Sequence, residues 1–316
     1  TQFPPENRVI MRCLCDLLIN PPKLDLSSQR TVFPLTKSVR MSLLACAEEV
    51  LGLIASLLDG QHVVLLYCTG NRLLWLKITS RIQHLFFQLR PFSNFPFWAF
   101  QCPSLQTLSV APNSIAQFGF PLHLNHQPIV PSQPLPVLQE LKLEFAQCLQ
   151  LLHAPTPLNQ LLPHLSSLKL VSTIKGIRQL PQALTSLEIS CARFDLQASV
   201  LSAEDVGFLP RTLEKLHLPT ICLEMDDNKN TYAGIQWPQD LVHLNIRAQS
   251  LMLLKHLPPV VQYLEIDVTD GIEEGRLATS ELPRSLKRIV LGGQMDPCFL
   301  LYFDGPDSMP PQLEEW

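Results

Sequence analysis

The sequence is poor in charge and in glycine. Asp, Glu, Lys and Arg make up only 16% of the 316 residues, and 28 prolines outnumber 12 glycines. The formal net charge is −4, so nothing in the composition predicts a surface for nucleic acid or anionic lipid. No apolar run is long enough to span a membrane, because Arg12 and Asp59 interrupt the best candidates.

The cysteines form no framework. Nine are scattered from Cys13 to Cys298 without a Cys-x-x-Cys pair, and the chain has no N-glycosylation sequon and no signal peptide. Scattered, unpaired cysteines are typical of reduced thiols, so we expect a cytoplasmic or nuclear protein. Because the chain begins at Thr1 and ends within a repeated motif at Trp316, we also expect it to be a piece of a longer protein.

Motifs for catalysis are lacking as well. The sequence has no Gly-x-Ser-x-Gly, no glycine-rich phosphate loop, no His-Glu-x-x-His and no Gly-Lys-Ser. We therefore expect a binding protein rather than an enzyme, with no cofactor and no metal. His217 and His243 fall on neighbouring predicted strands, but no Cys or carboxylate completes a ligand set, which favours solvated histidines.

What the sequence does have is an internal repeat. The stretch LPRTLEKLHLPT, Leu209 to Thr220, returns as LPQALTSLEIS, WPQDLVHLNIR, LPPVVQYLEID, LPRSLKRIVLG and, at the end of the chain, MPPQLEEW. Shorter copies read CPSLQTLSV, LPVLQELKL and LPHLSSLKL, and a copy without proline reads IQHLFF. The first apolar residue after the proline position, here called the anchor, recurs every 19 to 33 residues: Ile82, Leu105, Leu138, Leu165, Leu184, Leu213, Leu241, Val261, Leu286 and Leu313.

Each copy predicts one short strand. Proline ends the preceding connection and favours extended backbone before it, so we expect it to start the strand. Leu216 and Leu218 then share one face, while Lys215 and His217 point the other way. One such strand cannot bury its apolar face alone, but stacked copies build a parallel sheet over a common core.

This pattern resembles leucine-rich repeats, whose core is Leu-x-x-Leu-x-Leu, over residues 82–316. The resemblance implies an α/β solenoid, with a parallel sheet on its concave face and irregular or helical returns on its convex side. Many such repeats carry an asparagine eight residues after the anchor, and here only Asn113 does. The Leu-Pro copies are also similar to FNIP repeats, although the Phe-Asn-x-Pro part is absent.

The concave face of such a solenoid predicts a partner-binding surface. Because the face carries charges of both signs, it does not predict a partner that is uniformly positive or uniformly negative. Its best candidates for a large share of the binding energy, by residue type, are Tyr263, His243 and Arg288. An ordinary solvated sheet face is the alternative. The side chains expected to bind a protein partner are Glu140, Lys142, Lys169, Glu188, Lys215, His217, His243, Asn245, Tyr263, Glu265 and Arg288.

The segment before the repeats predicts three short helices. Apolar residues at helical spacing precede the helix stop Asp59-Gly60, and Thr69-Gly70-Asn71 separates a second helix from a third. Residues 42–80 thereby resemble an F-box, although the family's Leu-Pro is Cys46-Ala47 and its Cys-Arg pair is missing. The matching residues are Glu49, Val50, Leu51, Ile54, Leu57, Leu58, Val63, Val64 and Trp75.

The F-box resemblance implies a substrate adaptor of a cullin–RING ubiquitin ligase. Residues 42–80 would dock the ligase linker subunit through apolar helix anchors, and the repeats in residues 81–316 would hold a protein substrate. Residues 1–41 would form a partly helical extension. Four alternatives stay open: helices that merely cap the solenoid, a repeat scaffold without a ligase link, a regulator of a small GTPase, and an enzyme whose site the sequence motifs do not reveal.

Overall fold

The computed structural model describes residues 77, 79–89, 97–112, 134–143, 157–171, 177–190, 200–224, 234–268, 276–293, 300–302 and 309–315. The extension 1–41 and all nine F-box-like residues lie outside these ranges, so their assignment stays a prediction. Among the described residues, no helix has the length and apolar character that a membrane crossing requires.

The described chain is α/β, with an open, ten-stranded parallel sheet and few helices. Nine strands follow one another in chain order, and a tenth, β6, pairs with the end of β7. The strands are β1 (His84–Leu89), β2 (Thr107–Pro112), β3 (Glu140–Leu143), β4 (Ser167–Val171), β5 (Ser186–Ser190), β6 (Val200–Leu201), β7 (Lys215–Leu223), β8 (His243–Ala248), β9 (Tyr263–Val268) and β11 (Arg288–Gly293).

The same tight turn begins every copy of the repeat. At each of the ten anchors, the backbone N–H donates to the carbonyl three residues earlier, at 3.1 to 3.4 Å. In six copies that carbonyl belongs to the repeat's proline, as in Leu213 to Pro210. In the shorter copies it belongs to Cys102, Leu135 or Leu162, and the proline follows at the next position.

The proline therefore begins the turn and not the strand, which corrects the expectation from sequence. Pro210 precedes the first residue of β7, Lys215, by five positions. The first residue of a turn contributes only its carbonyl, so a missing N–H costs nothing there. In the shorter copies the proline takes the second position, where its fixed φ suits the turn. One turn thus explains both forms of the repeat.

A continuous ladder of backbone hydrogen bonds fixes the register between copies. The carbonyl of the residue after each of the first nine anchors accepts two N–H groups from the next copy, at 2.7 to 3.2 Å. Thr185, for example, accepts from Glu214 at 2.8 Å and from Lys215 at 3.0 Å. The ladder runs from Gln83 to Glu315 and so includes the incomplete last copy.

Alternation along the strands divides buried from outward side chains, as predicted. Leu216 and Leu218 are 1% and 0% exposed, whereas Lys215 is exposed and His217 half-buried. The anchors lie in the same core, which is continuous from Ile82 to Ile289. Only partial burial is seen at Leu313, in the last copy. Hydrophobic burial across neighbouring copies therefore holds the sheet together.

Single hydroxyl groups reinforce three of the turns. In these copies the residue directly before the anchor is Ser104, Thr212 or Ser285. Thr212 Oγ1 donates to the carbonyls of Gln182 and Leu184, both at 2.9 Å, in the preceding copy. Ser285 Oγ makes the equivalent pair of bonds at 2.6 Å, and Ser104 Oγ makes one at 2.6 Å. These bonds tie adjacent turns together at the entrance to the sheet.

The described parts of the returns between strands are varied. They contain 3₁₀ turns at Phe97–Gln101, Ile177–Gln179, Leu251–His256 and Thr279–Glu281, and the one-turn helices α1 (Leu158–Leu161) and α2 (Ala203–Val206). Ser202 caps α2 by accepting the N–H of Asp205. The sequence did not predict β6, nor the two-stranded parallel sheet that β10 (Arg276–Ala278) and β12 (Leu300–Tyr302) form in the returns.

One strand carries an irregularity. In β7, Leu218 pairs with Ile246 but the next paired residue is Cys222, opposite Arg247. Pro219 follows Leu218 directly and cannot donate to the ladder, which accounts for a break at this point. Beyond the break, β7 pairs with β6 rather than with β5.

Candidate binding face

The outward side chains form two columns that cross the strands. We call this surface the outward face. The first column holds the residues two positions after each anchor, and the second holds those four positions after. In order of the strands, the columns are His84, Thr107, Glu140, Ser167, Ser186, Lys215, His243, Tyr263 and Arg288, and Phe86, Ser109, Lys142, Lys169, Glu188, His217, Asn245, Glu265 and Val290.

All eleven residues predicted to bind a partner lie on this face. The ladder places them in register because every strand begins at the same distance from its anchor. From β5 to β11 the face is hollowed into an open depression of about 480 Å³. Eight of the eleven line it, whereas Glu140, Lys142 and Lys169 lie outside: the eight are Glu188, Lys215, His217, His243, Asn245, Tyr263, Glu265 and Arg288.

Two rings stack at the centre of the depression. His243 and Tyr263 are Cα partners on β8 and β9, and their ring centroids are 4.3 Å apart with an interplanar angle of 5°. Tyr263 keeps 37% of its surface exposed despite the stack. Two rings that hold one another in place form a rigid surface that loses little conformational freedom when a partner covers it.

The imidazole of His243 is biased toward its neutral form. Burial lowers the pKa of His243 below its usual 6.5, and the ammonium of Lys215, its Cα partner on β7, lowers it further. Glu214 opposes this with a smaller effect that raises the pKa. The stack is therefore an uncharged patch at neutral pH.

Most charges on the face are compensated within it. Lys142 Nζ lies 2.7 Å from Glu140 Oε1, and Lys169 Nζ lies 3.1 Å from Glu188 Oε1 on the next strand. At the far end, Arg288 Nε lies 3.0 Å from Glu315 Oε2. Such partly exposed pairs add about 1 kcal/mol or less each, so their main effect is to hold side chains in position.

Asn245 and Glu265 make a different kind of contact. Asn245 Nδ2 donates to Glu265 Oε2 at 2.6 Å, across β8 and β9. The amide orients the carboxylate but carries no charge, so the negative charge of Glu265 remains available to a partner.

The two histidines named in the sequence analysis are not brought together as a pair. His217 lies in the second column opposite Asn245, whereas His243 lies in the first column opposite Lys215. Nowhere in the described ranges do three His, Cys, Asp or Glu side chains group as a metal site would require.

The sequence pattern did not predict three features of the face. Arg247 Nε lies 3.3 Å from Asp267 Oδ2, which is an ionic contact without hydrogen-bond geometry. Each of these two residues lies six positions after its anchor, so together they form a partial third column. Phe86 is 60% exposed in the second column of β1. Glu315 reaches the face because the ladder continues into the last copy. Extending the two-residue alternation by one step would have found the third column.

No protein-family model matches the chain, and a search of curated proteins finds no significant match. The function is therefore inferred from the chemistry of the outward face and from the sequence of residues 42–80.

Proposed function

We propose that the chain is a leucine-rich-repeat module that binds a protein partner on its outward face, and that it serves as the substrate adaptor of a cullin–RING ubiquitin ligase. The observation that carries the binding role is the depression from β5 to β11, with the stacked rings at its centre and charges of both signs around them.

The form of the depression favours a protein over a small ligand. Small-molecule sites enclose most of their ligand in a cleft lined mainly by apolar groups. Here the lining is open and extends over five consecutive strands of the sheet, which at about 4.8 Å per strand is roughly 19 Å. Tyrosine and arginine among polar neighbours are residue types enriched at protein interfaces.

The adaptor role depends on residues 42–80. Ile54 and Leu57 fall on the apolar stripe of the first predicted helix, which would enter a groove of the linker subunit. The position of this segment, directly before the first copy at Ile82, supports the arrangement of an adaptor with its substrate face downstream.

A pull-down with purified ligase linker subunit tests the adaptor role. We expect the wild-type chain to retain the subunit and an Ile54→Asp, Leu57→Asp double variant to lose it while keeping its circular dichroism and melting temperature. Tyr263→Ala is the matched control, since it alters only the outward face and should leave linker binding intact. Failure of a folded wild-type chain to bind would leave a repeat scaffold and refute the adaptor role.

Proximity labelling in cells tests the binding face separately. A His243→Ala, Tyr263→Ala, Arg288→Ala variant should lose a defined set of labelled proteins that the wild type marks. An Arg178→Ala, Phe208→Ala, Lys255→Ala variant changes the return side and should keep that set. Equal loss in both variants, or loss in neither, would refute the outward face as the binding surface.

A further inference from the structure

Ion pairing on the outward face leaves two charges without an opposite partner. Within the described strands, Glu140, Glu188 and Glu315 are matched by Lys142, Lys169 and Arg288, and Arg247 is matched by Asp267. The remaining two are Lys215 and Glu265: Lys215 has Ser186 and His243 as its Cα partners, and Glu265 receives only a neutral amide.

These two charges lie at opposite corners of the stacked rings. Lys215 is in register with His243, and His243 with Tyr263, while Glu265 lies two residues beyond Tyr263 on β9. Two strand spacings across the sheet and two residues along it place the Cα atoms of Lys215 and Glu265 about 12 Å apart. No ion pair joins Lys215 to Glu265 in the described structure, and both side chains line the depression.

We propose that the depression recognises a segment of the partner protein that carries a carboxylate and a basic side chain about 12 Å apart, with an aromatic or other flat side chain between them. The carboxylate contacts Lys215, the basic group contacts Glu265, and the middle side chain covers the stack of His243 and Tyr263. This inference depends on the proposed binding role of the face.

The spacing defines the segment. In an extended chain, side chains at positions i, i+2 and i+4 share one face, and the outer two are separated by about 13 Å. An acidic, a flat and a basic residue at alternate positions therefore match the two charges and the rings. Because His243 is biased toward the neutral form, the middle position meets no competing charge.

Three blocked nine-residue peptides serve as probes. The mixed peptide is Gly-Thr-Glu-Thr-Tyr-Thr-Lys-Thr-Gly, and two like-charged peptides carry Glu at both charged positions or Lys at both. Binding is measured by chemical-shift titration against the full chain. The wild type should bind the mixed peptide about fivefold more tightly than either like-charged peptide, since each of those exchanges one attraction for a repulsion.

Charge reversal should change that preference in a defined way. Lys215→Glu should favour the two-Lys peptide, Glu265→Lys should favour the two-Glu peptide, and the double reversal should restore preference for the mixed peptide. Lys142→Glu is the matched control, because it makes the same change in charge on the same face but outside the depression, and it should behave as the wild type. This design does not depend on the direction in which the peptide lies.

The outcomes separate this inference from the proposed function. Equal binding of all three peptides, a mixed preference that survives Lys215→Glu, or no binding of any peptide to the wild type would overturn the charge-pair inference. The proximity labelling described above would still decide the binding role, because its triple variant leaves Lys215 and Glu265 intact.

Discussion

The alternation along β7 predicts opposite consequences for substitutions at two adjacent residues. Leu216 is 1% exposed and pairs with Leu187 on one side and Leu244 on the other. Lys215 precedes it directly, is exposed and points to the outward face. Replacing either by alanine removes several carbon atoms, so the comparison isolates burial from side-chain size.

The expected costs differ severalfold. Leu216→Ala removes apolar contacts and leaves a cavity in a continuous core, which costs about 3 kcal/mol of unfolding free energy. For a chain of this size that corresponds to a melting temperature lower by about 6 to 12 °C. Lys215→Ala should stay within about 0.5 kcal/mol of the wild type, as exposed substitutions without a specific contact do. Leu216→Asp should lower the unfolding free energy more than Leu216→Ala does, because it buries an unpaired charge.

Urea denaturation followed by circular dichroism, with thermal melts in parallel, measures these differences. The slope of unfolding free energy against urea should be the same in wild type and in both alanine variants, so that midpoints can be compared directly. A Leu216→Ala variant as stable as the wild type, or a Lys215→Ala variant destabilised by about 2 kcal/mol or more, would show that the strand register is wrong.

Three further predictions concern single side chains. Thr212→Val removes the hydroxyl that bonds two carbonyls of the preceding copy and should cost about 1 kcal/mol in urea unfolding, whereas Ala183→Ser adds a hydroxyl at the same position of another copy and should not destabilise. The pKa of His243 in the folded chain lies below its usual 6.5, so the unfolded chain binds the proton more readily. The contribution of His243 to the unfolding free energy is therefore complete above pH 6.5 and is lost as the pH falls toward the folded pKa. His243→Gln should flatten this part of the profile of stability against pH. Burial raises the pKa of Cys102 to about 12, so iodoacetamide at about pH 8 should modify it in urea but not in the folded chain, as read by mass spectrometry of its peptide.

The sheet could be predicted from sequence because the pattern that specifies each strand lies within a single copy. Each copy contains its own anchor and its own alternation, so Leu216 and Lys215 are assigned to opposite faces without knowledge of any other copy. The columns of the outward face follow as soon as the anchors are aligned. Leucine at the anchor is fully buried in copy after copy, for example Leu138 and Leu184.

Details that depend on the chain between copies could not be predicted. The pairing of β10 with β12 joins two returns whose sequences share no motif. The contacts of Asn245 with Glu265 and of His243 with Tyr263 require side-chain rotamers that alternation does not specify. The sequence predicted that the proline starts the strand, whereas it begins the turn before it. The shared hydrogen bond of that turn becomes apparent only when the long and the short copies are superimposed on their anchors.

The backbone ladder has a consequence for how this chain can change over evolutionary time. In every junction between copies, the residue after the anchor accepts two backbone N–H groups from the next copy, whether the two anchors are 19 or 33 residues apart. Insertions and deletions in the returns therefore leave the pitch of the face unaltered at about 4.8 Å per strand. Duplication or loss of a whole copy lengthens or shortens the face by one strand, which adds or removes one residue in each column without redesign of the scaffold.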